Sequence, residues 1–460
     1  MEYTLSKEKF QENYVDSNGK FRHKVGAKIK LFPFITTPGV EPILSLDNLV
    51  GRVISIIEGV QTPQISIDEA ISELMKNTKV QVGHEDIFRR LIISIFYDRD
   101  EKIKPLNLKL LEVAVDLEST EKRHAEYLAS VLGDKEILRE AILSAHNDCM
   151  KNSNVLESMV VSCLSKDASS LMGDEYFKVS SGLTNKFNED FQFVLADANR
   201  TREHLVQLID FYYFTYTTQT VMNLDRFFEG DRVEIIPLYF RLNWENTSLS
   251  RRCYTEGWQK LQESLNRIFA HVVVLDLLNL TSEDFPIVDY IKLREIVDGD
   301  PEQEEKMALE VRKITDLYRE YINDCSEMQE LERDESRRGD LDAEVRYLFK
   351  SVKTQFEYVR TRPYNAYAKK FIAYCNKYLK NRHRSGMMLT LTEDMVLFLT
   401  KMCIKNKERV RLNDIFDEFA ARGVFLDDAS KDKVTEYYEK LNLIEKKSDS
   451  GDAKYVKRIL

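Results

Sequence analysis

A chain of 460 residues exceeds what one ordinary hydrophobic core spans and implies two or three domains of roughly 100–200 residues each. Its 43% hydrophobic and 31% charged residues exclude a disordered or fibrous chain, and only 16 glycines and 9 prolines favour long helices over a sheet-rich fold. A formal net charge of −10 argues against a nucleic-acid binder, so any such role must rest on how the charge is distributed.

Residues 1–44 lack helical periodicity, and Gly19, Gly26, Pro33, Pro38 and Gly39 punctuate them as an extended or hairpin segment wrapping the rest. The start, Met1-Glu2-Tyr3-Thr4, has neither the positive charge nor the apolar run of a signal peptide. The longest apolar stretch, 271–280, is interrupted by Asp276 and falls short of the ~20 residues that span a bilayer. Cys149, Cys163, Cys253, Cys325, Cys375 and Cys403 are scattered and read as reduced thiols. A cytoplasmic protein with no membrane association is expected.

Leu49, Val53, Ile56 and Ile57, then Ile67, Ala70, Ile71 and Leu74, recur at helical spacing, with Ser66 and Glu69 in a capping-box pattern. Further helices are predicted over 84–97, over 119–132 with Gly133 as terminator, and over 185–223. Residues 237–244 alternate enough for a short strand, and a polar turn at 246–248 then opens a long helix to Leu278. Pro301 with Glu302, Glu304 and Glu305 starts an acidic helix to about Asp334, broken by Gly339.

Charge reverses after Glu344. From Arg346 to Arg384 eleven basic residues stand against Glu357 alone, which gives this stretch about +10 and leaves about −20 on the rest. If 364–384 is one helix, Lys369, Lys370, Lys377, Lys380 and Arg384 share a stripe about 100° wide, with Tyr367, Phe371, Tyr374 and Tyr378 opposite as core. Solvated helices usually mix signs for i,i+4 pairing, so a one-sided basic stripe points to phosphate contact or to an acidic protein partner.

The last seventy-odd residues, 386–460, give the clearest pattern. Thr390 to Glu393 caps a helix through Ile404, Arg409 to Leu412 is extended, Asn413 caps a second helix ended by Gly423, and Ser430 starts a third that reaches Leu441. Two strands around the turn 448–452 complete a winged helix-turn-helix. On the third helix Val434, Tyr437, Tyr438 and Leu441 form the buried side, which leaves Asp432, Glu436 and Glu439 outward, and carboxylates there repel phosphates. Lys446, Lys447, Lys454 and Lys457 on the wing are the better phosphate contacts.

Catalytic signatures are missing. There is no GxxxxGK loop, no HExxH pair and no Cys/His metal set; His146 and Cys149 share a helical face, which reads as packing. Asp98, Asp100, Glu101 and Lys102 read as a charged turn rather than a nuclease cluster. Ser248, Ser250, Arg251 and Arg252 read as a helix cap with solvated arginines rather than an anion site. No catalytic residue, metal or cofactor is predicted.

Leu31-Phe32-Pro33-Phe34, Phe96-Tyr97-Asp98-Arg99-Asp100, Pro237-Leu238-Tyr239-Phe240 with Trp244, Arg422-Gly423-Val424-Phe425 and the turn Ser448 to Ala453 with Tyr455-Val456 are scattered over the whole chain. In these segments it resembles the DptG (DndG) family of bacterial DNA phosphorothioation-dependent restriction proteins. The resemblance implies an antiviral defence complex that attacks DNA lacking a sulfur mark, with DptF-like and DptH-like partners as the ATP-using subunits. It implies no catalytic residues here.

The expectation is a mainly α, multi-domain helical body with a C-terminal winged helix-turn-helix: an extended segment over 1–44, a helical domain over 45–235, a second helical region over 236–385 and a winged helix over 386–460. The leading function is a non-catalytic subunit of that complex, giving scaffold surface and sequence-independent contacts to double-stranded DNA. The alternatives are a pure protein–protein adaptor and a winged-helix transcription regulator.

Overall fold

Scarce glycine and proline leave long amphipathic runs unbroken, and in the computed structural model the chain is mainly helical with few, short strands. The structure describes residues 3–19, 21–22, 26–61, 67–99, 103–104, 106–113, 117–152, 155–164, 169–196, 201–246, 251–381, 386–446 and 454–459. They form two compact units, one of Ile43–Tyr176 with Thr184–Phe214, the other of Met1–Pro42, Phe177–Leu183 and Thr215–Leu460. No described helix is long and apolar enough to cross a membrane.

In the first of these units the predicted helices appear as Val50–Glu58, Ile67–Asn77, Glu85–Phe96 and Ser119–Val131, joined by Lys135–Asn152 and Val155–Leu164. Apolar positions at helical spacing turn inward: Ala70, Ile71 and Leu74 pack with Ile92, Phe96, Val160 and Val161. Ser66 lies outside the described residues, whereas Glu118 and Glu121 make a reciprocal capping box at the start of Ser119–Val131. The helix expected over 185–223 is two helices, Thr184–Leu195 and Thr201–Leu224.

The second unit is built around Lys260–Leu278, whose apolar residues from Leu265 to Leu278 are all buried. Leu341–Tyr358 and Thr361–Cys375 pack against it, and Pro301–Tyr321 packs on Leu341–Tyr358. Asp276, the interruption in the apolar run, accepts the backbone N–H groups of Ala27, Lys28 and Ile29 at 3.1, 2.9 and 3.1 Å, and so fastens the N-terminal loop to the central helix. That segment is not all loop, because Ser6 caps a helix, Lys7–Tyr14, that buries Phe10 and Tyr14. The acidic helix stops at Tyr321 and a short one, Ser326–Gln329, follows.

Strand Tyr239–Leu242 is buried along its whole length because it pairs on both edges. It runs parallel to Met387–Leu391 (Arg241 opposite Thr390) and to Phe425–Leu426 (Tyr239 opposite Phe425), while Leu379–Asn381 lies antiparallel to Met387–Leu391. Residues before 245 and after 386 therefore share one sheet. Beyond it come Glu393–Ile404 with Thr392 as N-cap, strand Arg409–Arg411, helix Leu412–Ala420, helix Asp428–Lys440, and strands Ile444–Lys446 and Lys454–Lys457. Lys454–Lys457 is the middle strand of an antiparallel three, between Arg409–Arg411 and Ile444–Lys446. Leu412–Ala420 follows Arg411 directly, with no side-chain cap from Asn413.

Candidate functional site

The basic helix is shorter than periodicity implies. Thr361–Cys375 is α-helical, Asn376–Tyr378 is a single 3₁₀ turn, and the chain then becomes strand Leu379–Asn381. Lys369 and Lys370 lie on the helix, Lys377 on the turn and Lys380 on the strand, so they do not form one helical stripe; Arg384 lies outside the described residues. The inward side matches the expectation, since Tyr367, Phe371, Tyr374 and Tyr378 are all buried.

The partners of these cations decide how much charge survives. Lys370 donates to the carbonyl of Val40, and Lys380 to the backbone carbonyl of Asn243 at 3.2 Å and to its side-chain amide oxygen. Lys377 sits 3.7 Å from the centre of the Tyr374 ring, a cation–π contact. Carbonyls, amides and rings hold an ammonium without cancelling it. Lys369 and Lys377 are exposed. Earlier members of the basic run meet carboxylates instead: Arg346 with Asp342 at 2.8 Å, Lys353 with Glu357 at 3.0 Å and Arg360 with Asp324 at 3.0 Å.

Lys454 meets Glu439 at 3.2 Å and Arg409 meets Glu445 at 2.5 Å. Lys457 is exposed on its strand; the side chain of Lys446, all of Lys447 and the turn 448–452 lie outside the described residues. Asp432, Glu436 and Glu439 are exposed on Asp428–Lys440, with Val434 and Tyr438 buried beneath. Leu441, expected on the buried side, is 41% exposed, because the helix ends at Lys440.

Arg251 is no solvated cap. Its Nε donates to Asp427 Oδ2 at 2.7 Å and its Nη2 to Asp427 Oδ1 and to Ser430 Oγ, the latter at 2.7 Å. Burial would push the Asp427 carboxyl up, but Arg251 and the Ser430 N–H outweigh it and hold the carboxyl below its ordinary range. Arg252 pairs with Glu256 at 3.0 Å and covers the Tyr239 ring. Ser248 and Ser250, like Asp100, Glu101 and Lys102 of the other charged cluster, lie outside the described residues.

His146 faces two carboxylates that no sequence spacing links to it. Glu58 ends helix Val50–Glu58, Glu112 directly follows the short helix Leu108–Leu111, and His146 lies on Lys135–Asn152. Nε2 of His146 is 2.5 Å from Glu112 Oε1 and Nδ1 is 3.3 Å from Glu58 Oε1. Lys109 Nζ donates to both oxygens of Glu58 at 3.2 Å and to Glu112 Oε2 at 3.1 Å. Burial opposes ionisation of Glu58, yet His146 and Lys109 bring its carboxyl down to about 2. Burial dominates at Glu112 and pushes its carboxyl up. Among the described residues these three side chains are the ones whose ligand atoms could surround a metal ion, all within 4.8 Å of one another. The sequence carries no signal for them because each comes from a different helical segment.

The chain matches no protein-family model, and no curated protein is similar to it.

Proposed function

We propose that this chain is a non-catalytic subunit of a DNA phosphorothioation-dependent restriction complex, resembling DptG, and that it supplies scaffold surface and sequence-independent contacts to the DNA backbone. One observation carries the DNA part of this reading. No acid occurs in the sequence between Glu357 and Glu393, and Lys369 and Lys377 are exposed, which supports a positive field over this stretch. A duplex backbone is the natural counterpart of such a surface, since each neutralised phosphate releases counterions.

The order helix, strand, helix, helix, two-stranded hairpin after Thr392 supports a winged helix-turn-helix reading. Exposed Asp432, Glu436 and Glu439 on its third helix favour protein docking over groove reading for that face, with Lys457 beside it as a phosphate contact. This is the specific observation that favours the adaptor reading for the C-terminal stretch. In the assembly, DptF-like and DptH-like partners would bring ATP use, and this chain would bring DNA.

The test is reconstitution. Retention of non-specific duplex by the complex is measured with and without this chain. The reading expects retention to fall severalfold when the chain is omitted; unchanged retention, with the partners still assembled, overturns the DNA contact.

A further inference from the structure

We propose that Glu58, Glu112 and His146 form a structural site for one divalent transition-metal ion, Mn²⁺ or Zn²⁺, with Lys109 bracing the two carboxylates.

The bland account of this cluster is electrostatic neutralisation: Lys109 and a protonated His146 would offset two carboxylates. A protonated imidazole donates from both ring nitrogens, and buried donors find acceptors. Here the close contacts are poorly aligned: neither ring nitrogen of His146 nor Glu112 Oε1 meets hydrogen-bond geometry, although Nε2 and Oε1 are 2.5 Å apart and the side chains are only 7% and 0% exposed. The nearby oxygens stand beside the ring nitrogens without the alignment a hydrogen bond needs. One ring nitrogen of a neutral His146 offers a lone pair, and one oxygen of each carboxylate lies near it, so each residue can give one ligand atom to a cation.

The donor set fixes the class of ion. One imidazole and two carboxylates suit Zn²⁺ or Mn²⁺, whereas Mg²⁺ and Ca²⁺ favour all-oxygen shells. Two carboxylates cancel the charge of the ion. Lys109 donates to both oxygens of Glu58 and to Glu112 Oε2, a hydrogen-bonding partner of the kind that orients ligating carboxylates, and at 19% exposure it keeps some contact with water. Burial of all three ligands favours a structural role, with the fourth position of a three-ligand set left to water.

The scaffold holds the ligands in place before any ion arrives. A Cβ on Gly51 would lie 2.0 Å from the Leu111 carbonyl oxygen, so the helix that ends at Glu58 rests its backbone directly on the chain that carries Glu112. Arg139, on the helix of His146, donates from Nε to the Ile57 carbonyl at 3.1 Å and ties the third segment to the same helix end. The ion would clamp three segments that already meet.

The test uses the full chain, stripped with chelator and titrated with MnCl₂ while the free-Mn²⁺ paramagnetic resonance signal is followed. Mn²⁺ is the first probe because buried thiolates do not select it. The proposal expects one ion per chain, a raised unfolding temperature with the ion, and affinity lowered at least about tenfold in Glu112→Gln and in His146→Gln. Should those variants fail to fold, the wild-type complex decides alone, since bound Mn²⁺ must show electron–nuclear coupling to imidazole ¹⁴N. No stoichiometric binding, binding without ¹⁴N coupling, or equal affinity in folded Glu112→Gln and His146→Gln each overturns it.

Discussion

Arg251 grips Asp427 with two guanidinium nitrogens, and the pair joins the segment after strand Tyr239–Leu242 to the N-cap of Asp428–Lys440. Both side chains are largely buried, at 15% and 10% exposure. A two-pronged arginine–carboxylate contact fixes orientation as well as distance. Removing one partner strands the other charge away from water. Arg251→Met is therefore expected to cost ~3–5 kcal/mol in denaturant unfolding, and the double variant Arg251→Met/Asp427→Leu less than the sum of its parts. A loss below about 1 kcal/mol for Arg251→Met would mean that the pair holds nothing together.

Asp225 governs acid stability in the same unit. It accepts from His271 Nε2 at 2.9 Å and from Arg267 Nη2 at 2.6 Å, while the Tyr290 hydroxyl donates to His271 Nδ1 at 3.0 Å. Burial works against ionisation, but His271 and Arg267 bring the Asp225 carboxyl down to about 2. A carboxyl depressed in the folded state stabilises above its unfolded value of about 4, and that stabilisation disappears as pH falls towards 2. The stability gap between wild type and Asp225→Asn, from urea titrations, is expected to shrink by ~2 kcal/mol between about pH 5 and pH 2. A gap that stays constant would contradict the assignment.

Gly51 has no room for a side chain. With a Cβ that would sit 2.0 Å from the Leu111 carbonyl oxygen, Gly51→Ala must shift a helix or the chain before Glu112. Overpacking of this kind costs ~1–3 kcal/mol, against a gain of up to about 1 kcal/mol from better helix propensity. Calorimetry should show a lowered unfolding temperature for Gly51→Ala; a rise would show that the helix is not seated as described.

The features legible in the sequence are those written in local patterns. Helices Glu85–Phe96 and Ser119–Val131 have apolar residues at helical spacing, the second also a capping box, and they lie where the pattern puts them. Lys7–Tyr14 escapes because two turns with only Phe10 and Tyr14 inward are too short to show a period. The basic helix is overextended for a different reason. Nothing between Tyr364 and Gly386 forbids helix, but Leu379–Asn381 gains a partner in Met387–Leu391, which itself pairs with Tyr239–Leu242, and remote pairing overrides local preference. Lys380 is thereby drawn to Asn243. Arg251 misleads similarly: a helix start with arginines looks solvated until Asp427, 176 residues away, is placed beside it. His146 gains its acids in the same way, from segments with which it shares no spacing.

Charge on Lys369 and Lys377 is the central claim, and a salt series tests it most directly. Binding of the full chain to a non-specific duplex is followed by fluorescence anisotropy from about 50 to 200 mM salt, for wild type and for Lys369→Glu/Lys377→Glu. Lys370 and Lys380 are left intact because their ammonium groups anchor Val40 and Asn243. The predicted result is an affinity that falls steeply with salt in the wild type, with the double variant binding more weakly at every concentration and its log–log slope shallower by about 2. Superimposable curves for the two proteins would contradict the account.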